Sequence, residues 1–171
     1  MTIVLLGYMA SGKSSVSKLL GKELKLPVID LDIYIEEKEE RSIREIFELE
    51  GEIYFRMKEH QYLKEILEVK NDAIISLGGG TPCYANNMNL IHEYTQHTFY
   101  LQTSIPEIIN RVKDEKSQRP LISAIADEDL PEFIGKHLFE RNTFYQQAAH
   151  VVFTDKKNIT ELVEEIKGTL N

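Results

Sequence analysis

Only one cysteine, Cys83, stands among the 171 residues, so no disulfide can form within the chain and a reducing, cytoplasmic setting is expected. No run of eighteen apolar residues occurs, which excludes a transmembrane helix of ordinary length. The opening MTIVLLGYMASGKS is apolar but has no basic residues before it and no small-residue cleavage site. It reads as a buried first strand, not a signal peptide. Bases are in the minority, with 20 Lys and Arg against 28 Asp and Glu and a net charge of −8. Proteins that neutralise nucleic-acid phosphates carry a basic face, and here the cations are scattered among more numerous acids. Neither nucleic acid nor a membrane is an expected partner, and a monomer is expected. A small anion is still admissible, because a few cations converging locally outweigh the total. His60, His92, His97, His137 and His150 show no metal-ligand spacing.

What is present is an alternation of short apolar runs with helical periodicity. Thr2 to Leu6 is a buried strand by pattern, and Lys13 to Lys25 carries Val16, Leu19, Leu20 and Leu24 at helical spacing. Val28-Ile29-Asp30 reads as a second strand. Asp32 to Glu68 is helical with breaks near Arg41 and Gly51, and Ser42-Ile-Arg-Glu45 is a capping-box signature. Ala73 to Leu77 and Thr98 to Leu101 are further strands, and Ser104-Ile-Pro-Glu107 opens a helix toward Val112. Residues 113 to 129 lose periodicity and read as a mobile loop. Leu130 to Ala149 is helical, Val151 to Phe153 is a fifth strand, and Asn158-Ile-Thr-Glu161 caps a last helix to about Leu170. Such an order implies one α/β domain with helices on both faces of a parallel sheet.

Gly7-Tyr-Met-Ala-Ser-Gly12-Lys13-Ser14 matches G-x-x-x-x-G-K-[ST] between an apolar strand and an amphipathic helix. Its glycines let successive N–H groups point at phosphate oxygens, and the following helix adds its positive end. Lys13 reaches the β- and γ-phosphates, and the Ser14 hydroxyl suits Mg²⁺. Asp30 and Asp32 follow the second strand. If strand geometry persists, alternation puts both carboxylates on one side, at the sheet edge where open α/β sheets bind ligands. One could orient magnesium and the other could accept a proton from an attacking hydroxyl. Either could instead be only a helix N-cap.

Arg141 completes the apolar stripe of Ile134, Leu138 and Tyr145, and a buried guanidinium demands a carboxylate or an anionic ligand. Arg56 stands in a similar register, three residues after Ile53 and seven before Leu63. The alternative for each is a stem that snorkels to solvent. Arg119, beside Pro120 in the aperiodic loop, suits a lid closing on phosphates; a solvated loop arginine is the alternative. Gly78, Gly79 and Gly80 end a buried strand and let a ligand approach the backbone closely. Cys83, just beyond, could be modified near the site; a small buried hydrophobe is the preferred reading.

Six ordered segments resemble the shikimate kinase family over nearly the whole chain: GYMASGKS, DLDIYIEE, SIREIFELEGEIYFRMKE, SLGGG, QRPL and ERNTFY. The resemblance implies a P-loop fold with five parallel strands in the order 2-3-1-4-5. It implies a substrate-binding helical region at about 32–70 and a lid at about 113–128. ATP would lie on Ala10, Ser11, Gly12, Lys13, Ser14 and Ser15, with Arg119 closing on its phosphates. Arg111, Lys157 and Asn158 would lie near the adenine. Ser14 would bind Mg²⁺, with Asp30 behind it through water. Asp32 would hold the shikimate hydroxyls and activate the attacking one, Arg56 and Arg141 would clamp its carboxylate, and the Gly79 N–H would touch it, within the run Gly78 to Gly80. Two departures stand out: Ala10 where the family usually has glycine, and FTDKKN, which is only loosely similar to the family's adenine segment. A gluconate-type kinase and a nucleotide-binding module without catalysis are the rival readings.

Overall fold

Alternate residues of the first strand feed two separate cores. The computed structural model describes residues 1–69 and 72–170, and β1 (Thr2–Leu6) is buried along its whole length. Val4 and Leu6 face one side of the sheet and Ile3 and Leu5 the other, as a period of two requires. The chain continues through α1 (Lys13–Leu24), β2 (Val28–Asp30), α2 (Leu31–Glu39), α3 (Ile43–Val69), β3 (Ala73–Ser76) and α4 (Asn87–Tyr94). It ends with β4 (Thr98–Gln102), α5 (Ile105–Val112), α6 (Leu130–Tyr145), β5 (His150–Phe153) and α7 (Ile159–Thr169). The five strands form one parallel sheet in the order β2-β3-β1-β4-β5.

On one face, Val16 and Leu20 of α1 meet Leu162, Val163 and Ile166 of α7 over Ile3 and Leu5. On the other, α2 to α6 cover Val4, Leu6, Ile75 and Tyr100. Each fully buried Leu or Ile contributes roughly 1.5–3 kcal/mol. The crossover helices also bring the carboxyl ends of all five strands to one edge.

The capping signals work as read. Ser42 and Glu45 exchange hydrogen bonds ahead of α3, and Asn158 and Glu161 do the same ahead of α7. α3 bends at Gly51, whose φ of 85° and ψ of 175° suit glycine almost alone. Three expectations change. α4 went unread because eight residues give the helical period only two buried apolar points, Met88 and Ile91. α6 stops at Tyr145, four residues before Ala149, once its apolar face is spent. The aperiodic stretch from 113 to 129 contains two 3-10 turns, Lys116–Gln118 and Asp127–Asp129, and Ile122 within it is fully buried.

Candidate active site

The phosphate loop turns where its sequence permits. Gly12 has φ 93° and caps α1; a side chain on Gly7 (φ 153°) would lie 2.8 Å from the Leu101 carbonyl oxygen. Ala10 occupies the left-handed region at φ 61°, a conformation that glycine adopts more readily. Lys13 Nζ lies under the loop, donating to the carbonyl oxygens of Gly7 at 2.7 Å and Tyr8 at 3.0 Å. Burial lowers its ammonium to about 8, and the carboxylates of Asp32 and Asp30 oppose that shift, so the group stays cationic at neutral pH.

Over the loop opens a cavity of about 680 Å³. Its wall includes Ala10, Ser11, Gly12, Lys13, Ser14 and Ser15 of the loop, with Asp30, Asp32, Gly78, Gly79, Arg111, Arg119 and Lys157. Arg111 also donates to the Ala10 carbonyl oxygen at 3.0 Å and pairs with Glu107 at 2.9 Å, bracing the strained residue. Arg119 is paired with Glu115 at 2.7 Å. Lys157 pairs with Glu165. Asn158 is not part of the wall; its side chain accepts from the Glu161 amide as the cap of α7.

Asp30 and Asp32 do share the cavity, though not through strand alternation. The strand ends at Asp30, whose carboxylate caps α2 by accepting from the amides of Asp32 at 3.0 Å and Ile33 at 3.2 Å. Asp32 then projects from the first helical turn. Burial, with Asp30 and Glu59 nearby, pushes its carboxyl up to about 6.

Each glycine of the run after β3 faces a charged side chain. A Cβ on Gly78 would meet Asp32 Oδ1 at 2.8 Å, one on Gly79 would meet Arg141 Nη1 at 3.2 Å, and one on Gly80 would meet Arg56 Nη2 at 2.8 Å. The absent side chains therefore make the room in which one carboxylate and two guanidinium groups converge. Arg56, Arg141 and Gly80 are not in the wall of the main cavity; they continue the site along the run.

Arg56 reaches this position for a different reason from the one its spacing suggested. Ile53 is 90% exposed, so the stripe invoked for Arg56 does not exist on that side. The buried face of α3 runs through Phe55, Glu59, Tyr62 and Leu63. Arg56 pairs with Glu59 at 2.9 Å and lies 3.9 Å over the Tyr84 ring. Arg141 is half-buried, 5.8 Å from the Tyr8 ring.

Sequence reasoning did not foresee the contacts that brace this part of the site. Glu59 is 1% exposed and bridges Arg56 to the Thr81 hydroxyl at 2.8 Å; its place three residues after Arg56 was the available signal. Tyr145 donates to the Gly79 carbonyl oxygen at 2.6 Å, a contact no local pattern announces. Cys83 is half-buried and burial raises its thiol to about 11, so it is no nucleophile.

Ser14 and Asp30 offer hard oxygen donors that suit magnesium. The second oxygen of Asp30 takes no hydrogen bond from the described residues. No group of three or more His, Cys, Asp or Glu among the described residues could hold a metal unaided.

The fold and this loop put the chain among the P-loop nucleotide-dependent phosphotransferases. A family model described as shikimate kinase matches residues 9–171. A shikimate kinase of Flavobacterium johnsoniae is 49% identical over 98% of this chain and 98% of its own. The crystal structure of shikimate kinase from Bacteroides thetaiotaomicron superposes with a TM-score of 0.91 at 33% identity, covering 99% of this chain and 98% of that one. Shikimate kinase from Acinetobacter baumannii, solved in complex with shikimate, gives 0.87 at 28% identity, covering 99% of this chain and 92% of that one. The chain belongs to the shikimate kinase family.

Proposed function

We infer that the chain transfers the γ-phosphoryl group of ATP to the 3-hydroxyl of shikimate, giving shikimate 3-phosphate on the route to chorismate and the aromatic amino acids. The observation that carries this reading is the glycine run, along which Asp32, Arg141 and Arg56 stand in succession beside the phosphate loop. An acceptor with a carboxylate at one end and hydroxyls at the other matches two cations followed by an acid. A gluconate-type acceptor is disfavoured by family membership.

Arg56 and Arg141 grip the shikimate carboxylate, and the Gly79 amide, with Gly78 and Gly80 bare on either side, admits the ring. Asp32 is ionised at neutral pH and accepts the proton of the attacking hydroxyl as the O–P bond forms. The bond from the γ-phosphorus to the β–γ bridging oxygen breaks, and ADP leaves with those electrons. Lys13 and Arg119 take up the charge that develops on the transferred group. Ser14 and Asp30 would hold Mg²⁺, which when bound would supply positive charge against the β- and γ-phosphates. The backbone from Ala10 to Ser15 binds the phosphates, and Arg111, Lys157 and Asn158 lie toward the base. Residues 32–70 act as the acceptor-binding region and 113–128 as the lid of a single domain. A cytoplasmic monomer is the working form, and no helix among the described residues is long and apolar enough to cross a membrane.

ADP release coupled to a spectrophotometric signal tests this. Shikimate added to enzyme, Mg²⁺ and ATP gives rapid turnover and gluconate does not. Equal rates with both, or none with shikimate, would overturn the reading.

A further inference from the structure

Tyr8 lies inside the phosphate loop, yet its side chain is 1% exposed and forms no part of the cavity wall. The phenol instead bonds across 129 residues of sequence to His137 Nδ1, at 2.9 Å, with the two rings edge to face at 5.4 Å. His137, Arg141 and Tyr145 follow at intervals of four on α6, so they lie along one face of the helix. Arg141 is thus bracketed one turn to either side. Before it, His137 holds the phosphate loop; after it, Tyr145 holds the Gly79 carbonyl oxygen at 2.6 Å. Arg141 itself sits 5.8 Å over the Tyr8 ring. The backbone oxygen of Tyr8 meanwhile accepts from Lys13 Nζ at 3.0 Å.

One residue therefore touches the lysine that serves ATP and the helix that carries the acceptor arginine. We propose that Tyr8 and His137 are positioning residues, joining the phosphate loop to α6 so that Arg141 is held over the glycine run for the acceptor carboxylate. This rests on Arg141 gripping that carboxylate. The protonation states agree with the bond. Burial raises the Tyr8 phenol to about 12, and burial with the neighbouring Arg141 lowers the His137 imidazole. At neutral pH a neutral phenol thus meets a neutral ring, and the bond holds in either tautomer, the phenol donating when the ring proton lies on Nε2 and accepting when it lies on Nδ1. The charged and titratable groups facing that ring are Tyr8 from the loop and Arg141 and Glu140 from α6; Phe133 packs beside it. A phenylalanine at position 8 would fill the same space, so the hydroxyl is there for the bond.

Steady-state kinetics with each substrate varied, on Tyr8→Phe, His137→Leu, the double variant, His137→Asn and Arg141→Ala, test the proposal. Tyr8→Phe and His137→Leu each raise the shikimate KM about five- to tenfold, as loss of one buried hydrogen bond predicts, and leave the ATP KM within about twofold. The double variant is no worse than either single one. His137→Asn, whose side-chain amide can donate or accept in the place of Nδ1, restores the shikimate KM. The proposal is overturned by an unchanged shikimate KM in both single variants, by additive losses in the double variant, or by parallel rises for both substrates. His137 is half-buried on α6, so its variants decide the matter even if Tyr8→Phe folds poorly. If Arg141→Ala leaves the shikimate KM unchanged, the carboxylate clamp fails and the bridge fails with it. If Arg141→Ala raises it while Tyr8→Phe does not, only the bridge fails.

Discussion

Asp32 is kept at a cost. Its carboxyl stands at about 6 against an ordinary value of 3.8, so the folded chain holds that proton more tightly than the unfolded one. Stability attributable to this group is therefore lost as pH rises from about 4 through 6. Asp32→Asn removes the charge, and the variant, free of nucleotide and metal, is expected to melt about 2–5 °C above wild type near neutral pH. That advantage shrinks toward pH ~4, where the wild-type carboxyl is also neutral. In the same variant kcat falls at least about a hundredfold, the usual loss for a proton acceptor. Differential scanning calorimetry across pH and a turnover assay check the two halves; loss of both stability and turnover would mark Asp32 as structural. Lys13→Ala is expected to lower kcat at least about a hundredfold, as for a preorganised electrostatic group. Lys13 and Ser14 were legible because the loop motif fixes the backbone that presents them. Asp30 and Asp32 were found as a pair, but a strand was extended one turn into a helix to explain them. Arg56 was found through a stripe that Ile53, standing in solvent, does not form.

At the scale of elements, two glycines separate backbone demands from ligand demands. Gly51 lets α3 bend, and a Cβ there would touch nothing within 4 Å. Gly51→Ala therefore costs only conformational strain, about 1–3 kcal/mol, with a drop in Tm of roughly 2–12 °C. Because the bend aims the half of α3 that carries Arg56, the shikimate KM rises as well. Gly80→Ala is expected to affect the acceptor without the loss of stability. Its backbone lies at φ −88°, so the methyl strains nothing, but it meets the Arg56 guanidinium. Shikimate KM should rise about tenfold, equivalent to the loss of one contact to a charged group, with Tm nearly unchanged. A fall in Tm like that of Gly51→Ala would contradict this. Strands, caps and the break at Gly51 were legible because period and glycine speak locally. The holding contacts Glu59–Thr81, Tyr84–Arg56 and Tyr145–Gly79 were not, because each is made between distant segments.

For the molecule as a whole, the sheet order brings the phosphate loop and the glycine run to one edge, and Glu115 and Arg119 of residues 113–129 line the cavity there. Arg119 there is paired with Glu115, and Ile122 anchors the stretch in the core. The central claim is that the acceptor is chosen by its carboxylate, at Arg56 and Arg141. The most direct measurement compares kcat/KM for shikimate with that for an analogue whose carboxylate is replaced by a neutral hydroxymethyl group, in wild type and in Arg56→Ala. The account predicts a loss of at least about a hundredfold for the analogue in wild type, in line with two charge-assisted contacts, and a much smaller discrimination in Arg56→Ala. Equal use of both compounds by the wild-type enzyme would contradict it.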